Sequence, residues 1–84
     1  REEVYPMMNP DTFVDEANMG LDISMEYNGM TYYVGRHDEH SLIMTDLPNK
    51  NVMYAKDASE FMRQYKIDGK PLQEVLPMMK QVWN

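Results

Sequence analysis

The chain reads as one α+β domain: an N-terminal helix, an antiparallel meander of three to four strands, and two C-terminal helices packed on one face of the sheet. Three observations predict this. Residues 25–35, "MEYNGMTYYVG", alternate apolar and polar side chains around Asn28-Gly29, and both central residues of a tight type I′ hairpin turn require positive φ. Two later stretches place apolar residues at helical spacing instead: Ala58, Phe61, Met62 and Tyr65, then Leu72, Val75, Leu76, Met79, Val82 and Trp83. A length of 84 residues leaves room for one core and no second domain.

Residues 1–8 open on Arg1 and carry no pattern. They are set apart as an N-terminal segment, either disordered or an expression remnant, and the domain is taken as 9–84. Asn9 is the expected cap of the first helix, with Pro10 at its first position, Phe13, Val14 and Ala17 along one side, and Gly20 at its end. The two-residue loop then fixes the hairpin register. Tyr27 faces Met30, Met25 faces Tyr32, Ile23 faces Val34 and Leu21 faces Arg36 on the core side. On the other side Glu26 faces Thr31, Ser24 faces Tyr33 and Asp22 faces Gly35. Tyr33 is therefore an aromatic residue on a polar face.

After the charged turn "RHDEH", "SLIMTD" reads as a third strand and "VMYA" as a short fourth, separated by the Pro-Asn turn of "LPNKN". Asp57 with Glu60 three residues later has capping-box spacing and starts the first C-terminal helix. Asp68-Gly69 makes a turn and Pro71 starts the last helix. Pro77 is expected to kink or break it, because an interior proline removes a backbone hydrogen bond and clashes with the preceding turn.

Composition excludes more than it points to. Fourteen acidic against eight basic side chains give a net charge of -6, which repels nucleic-acid phosphate, so direct nucleic-acid binding is not expected. The acids concentrate early: residues 1–46 carry ten acids and two bases, and 47–84 carry four acids and six bases. Without cysteine there is no disulfide framework and no thiolate ligand or nucleophile. No apolar run approaches a membrane span or signal core, and the expected location is cytoplasmic.

The hairpin "EYNGMTYYV" and the segment "IDGKPLQEV" together resemble a group of small uncharacterised proteins of Gram-positive bacteria and their phages. In these an aromatic Asn-Gly hairpin is followed some way on by Ile-Asp-Gly-Lys. The resemblance covers residues 9–84, implies an α-β-β-β-α type fold, and carries no catalytic residue onto this chain.

Few constellations carry chemistry. His37 and His40, with Asp38 and Glu39 between them, combine two imidazoles and two carboxylates in four residues. A turn seldom aims both rings at one point, so no metal or cofactor is expected. The serines lack an elbow or an adjacent base, and the glycines at 20, 29 and 69 are accounted for by caps and turns. The ten methionines are mostly core fillers, among them Met25, Met30, Met44, Met53, Met62 and Met79, with Met7, Met8 and Met78 left over as a plastic surface. The reading that follows is a non-catalytic protein-protein interaction or regulatory module, with an unknown protein partner or a second copy, and no membrane. Its expected patch is Tyr33 with Asp22, Glu26 and Thr31, unless Val4, Tyr5 and Met8 fold over the ring. The alternatives are an acidic phage-type inhibitor that mimics nucleic acid, and a small metal protein or enzyme.

Overall fold

The computed structural model describes residues 8–82, and over them the chain folds as a mixed α+β domain. Helix α1 spans Pro10–Asn18, and the Asn9 side chain accepts from the Asp11 and Thr12 amides at 2.9 and 3.2 Å. These bonds satisfy donors that the first helical turn leaves free. Strands β1 (Ile23–Tyr27) and β2 (Met30–Asp38) form the hairpin, with Asn28 at φ 56 and Gly29 at φ 81. The pairs run from Tyr27 with Met30 to Ile23 with Val34, in the register the two-residue loop dictates. Leu21 is a correction: it precedes β1 and is exposed instead of joining the core side opposite Arg36. Strands β3 (Ser41–Asp46) and β4 (Met53–Ala55) complete the meander, and a register shift between Arg36 and Asp38 marks the end of β2.

The C-terminal third departs furthest from expectation. Helix α2 (Ala58–Gln64) forms as its capping spacing predicts, with the Asp57 carboxylate accepting from the Glu60 amide at 3.2 Å. The Glu60 side chain reaches back one residue further, to the Lys56 amide, at 3.2 Å. Strands β5 (Lys66–Ile67) and β6 (Lys70–Pro71) form a minimal hairpin around Asp68-Gly69. The expected last helix is a single turn, α3 (Leu72–Val75), followed by a 3-10 turn over Leu76–Met78. Pro77 stops α-helical hydrogen bonding there, and the chain leaves in extended form as β7 (Lys80–Val82), antiparallel to β1. The sheet therefore has five strands, ordered β4-β3-β2-β1-β7, where a meander of three to four was expected. Leu72, Val75, Leu76 and Met79 are nonetheless buried, because one turn of helix and a 3-10 turn still aim them at the sheet. Trp83 lies outside the described residues.

All three helices sit over one face of the sheet. Phe13 and Ala17 of α1 share a core with Phe61 of α2, Leu72 of α3, and Ile23, Met25, Tyr32, Val34, Leu42 and Met44 of the strands. The Asn18 side chain at the end of α1 accepts the Ala58 amide at 2.8 Å, so one helix caps the start of another. Two methionines correct the core list. Met30 is exposed, while Met8, grouped with the N-terminal segment, is 4% exposed in the core and donates its amide to the Met79 carbonyl at 3.0 Å. Val4, Tyr5 and Met7 lie outside the described residues.

Two carboxylates hold loops by accepting backbone amides. Asp46 accepts from Lys50 at 2.8 Å and Asn51 at 3.1 Å, and Asp38 accepts from the His40 amide and the Ser41 hydroxyl, each at 2.8 Å. The Asn51 amide for the first and the His40 amide for the second are the main causes that hold these carboxyls below their ordinary value. A depressed folded-state value stabilises above the unfolded one and is lost as pH falls through the folded one. The thermal midpoint should therefore fall as pH drops below about 4, and Asp46→Asn should flatten that fall. An acid limb unchanged in Asp46→Asn and Asp38→Asn would show that neither loop contributes.

Candidate functional site

Register decides which residues line the face turned away from the helices. Its rows run across the strands: Tyr54, Ile43 and Gly35 in one, Thr45, Tyr33, Ser24 and Val82 in the next, and Thr31, Glu26 and Lys80 in the third. Among the described residues the three helices lie on the opposite face, as expected for an antiparallel sheet with helices on one side. On this face Thr45 is buried and donates its hydroxyl to the Asn49 side chain of the β3–β4 loop at 3.3 Å.

Tyr33 does not stand upright on the face. Its hydroxyl donates to Asp22 Oδ1 at 2.9 Å, so the ring lies along its own strand, toward Gly35 and away from Thr31. A Cβ on Gly35 would collide with the Tyr33 hydroxyl and ring end, and would come within 2.9 Å of Asp22 Oδ1. Gly35 is thus small because an aromatic side chain two residues away lies on it, a pairing that covers bare strand backbone. Partial burial, and then the bond to Asp22, push the Tyr33 hydroxyl above its ordinary value, which keeps it a donor.

The ring does not end the patch. Gly35 pairs with Ile43 and Ile43 with Tyr54, and the 53% exposed Tyr54 stacks on His37 at a centroid distance of 4.5 Å. The row therefore reads His37 and Tyr54, Ile43, the Tyr33 ring over Gly35, and Asp22. Of the four residues expected in the patch, Tyr33 and Asp22 are brought together. Glu26 and Thr31 form the row on the other side of Tyr33, away from its hydroxyl. Tyr54 and Ile43 were missed, although the alternation in "VMYA" and "SLIMTD" already turns both away from the core-facing Ala55, Leu42 and Met44.

His37 belongs to this row, while His40 sits on the turn with a 90% exposed side chain, 3.9 Å from Glu39. Among the described residues no group of three or more His, Asp or Glu side chains is arranged to hold a metal, no pocket is enclosed, and no helix is long and apolar enough to cross a membrane. What the row offers is a flat aromatic and aliphatic surface ending in a fixed carboxylate. No family model, curated protein or solved structure matches the chain.

Proposed function

We propose that the chain is a non-catalytic protein-interaction module that engages its partner through the open sheet face. One observation carries the reading: a continuous uncharged row of Tyr54, Ile43 and the Tyr33 ring lies on the face opposite the three helices. Its centre is uncharged, with Asp22, Glu26 and Lys80 toward the rim. An aromatic centre inside a polar rim is the composition of binding interfaces, where a few large side chains supply most of the energy. The acidic-mimic alternative draws no support from this face, since mimicry of a phosphate backbone needs carboxylates along the centre of a ridge.

Tyr33→Ser tests the reading. The ring is half-buried on Gly35 and its bond to Asp22 is exposed, so the change should cost about 0.5 to 1 kcal/mol of stability while partner binding or self-association is lost. A cost above about 2 kcal/mol, or binding that survives the substitution, would contradict it.

A further inference from the structure

The order of groups along the row identifies the chemistry of an occupant. This step rests on the reading of the open face as a binding surface. We propose that the face receives an arginine-bearing basic segment of a protein partner, with one guanidinium lying on the Tyr33 ring and donating to Asp22, and the segment running on across Ile43 to the Tyr54 ring.

Three features of the face support this. The first is shape. Tyr33 lies down over Gly35 with its ring half-buried, and Ile43 bridges it to the exposed Tyr54, so the surface suits a planar group. The second is the carboxylate. Asp22 is exposed, and its Oδ1 accepts the Tyr33 hydroxyl at 2.9 Å, which holds the carboxylate at the end of the row for an incoming donor. A prepositioned carboxylate saves the ordering cost that a free side chain would incur on binding. The third is charge. Glu26 lies on the same face, and Asp38 and Glu39 on the β2–β3 turn beyond His37, within a chain of net charge -6. The base on the face, Lys80, pairs across from Glu26, two rows from Asp22. A basic segment is attracted here, and phosphate or an anionic lipid surface is repelled.

Arginine fits better than lysine. Its planar, weakly hydrated guanidinium stacks on aromatic rings and donates two parallel bonds to a carboxylate, whereas an ammonium is a compact, strongly hydrated point charge.

The test uses three short unstructured peptides, alternating Gly with Arg, Lys or Glu, titrated into the ¹⁵N-labelled chain at about 0.15 M salt. The arginine peptide should shift the amides of Asp22, Tyr33, Ile43 and Tyr54 saturably. The lysine peptide should bind about two- to fivefold more weakly, and the glutamate peptide should shift nothing. Asp22→Asn and Tyr54→Ala should each weaken the arginine peptide by about threefold or more, with Asp15→Asn on α1 unchanged. Equal binding of arginine and lysine peptides, shifts confined to the α1 acids, or no shift would overturn the inference. A concentration-dependent dimer abolished by Tyr54→Ala would overturn it too, by assigning the face to a second copy. The two readings fail separately. If Tyr33→Ser abolishes partner binding while arginine has no preference, the module stands and only the occupant's chemistry is wrong.

Discussion

Phe61→Ala is expected to cost about 3 to 5 kcal/mol, the penalty for removing a large aromatic from a core that cannot close the gap. Phe61 is 0% exposed and sits on α2, which packs against α1, α3 and β4. Truncating it opens a void where the helical layer meets the sheet. Native domains have only about 5 to 15 kcal/mol in total, so this one truncation should remove a large share of the stability. Phe61→Leu keeps most of the volume and should cost under about 1.5 kcal/mol. Denaturant titration checks both, and a loss below about 1 kcal/mol for the alanine variant would mean that α2 docks somewhere other than this core.

Tyr65 should be nearly as costly, for a mixed reason that two substitutions separate. The ring is 1% exposed and meets Tyr32 edge-on at 6.3 Å, and the hydroxyl donates to the Asn51 carbonyl at 2.6 Å. Asn51 in turn donates its side-chain amide to the Lys66 carbonyl at 2.8 Å and its backbone amide to Asp46. The hydroxyl therefore ties the β3–β4 loop to the end of α2, and burial pushes it well above the ordinary tyrosine value. Tyr65→Phe keeps the packing and leaves the Asn51 carbonyl without its donor, for about 1 to 2 kcal/mol. Tyr65→Ala adds the cavity and should reach about 3 to 5 kcal/mol. Equal losses for the two variants would show that the ring contributes nothing beyond its hydroxyl.

The parts of the fold that were legible in the sequence are those set by local chemistry. Asn28-Gly29 fixes a turn, the turn fixes a register, and the register placed Tyr33 opposite the core. Asn9-Pro10 and Asp57 with Glu60 likewise mark helix starts through bonds within a few residues. The C-terminal strand was illegible because its cause is non-local. Leu72 to Val82 has helical apolar spacing, and only the pairing of Val82 with Ser24, from the other end of the chain, makes Lys80–Val82 a strand. Met8 was missed for the same reason, since its burial depends on the bond to Met79 and not on any pattern around it. Within the site, Gly35 was a readable signal. A glycine inside a strand, two residues after a tyrosine, asks what lies over its bare backbone.

Site-specific photo-crosslinking tests the central claim most directly. A photoreactive phenylalanine analogue is placed at Tyr54 on the open face, and separately at Asp15 and Gln73 on the helical layer, all exposed positions. If the open face is the binding surface, the position 54 variant should form one saturable adduct in lysate of cells expressing the chain. Unlabelled wild-type chain should compete that adduct away and unlabelled Tyr33→Ser should not, while positions 15 and 73 should give only background. A saturable adduct at 15 or 73 with none at 54, or equal competition by wild type and Tyr33→Ser, would contradict the assignment of function to this face.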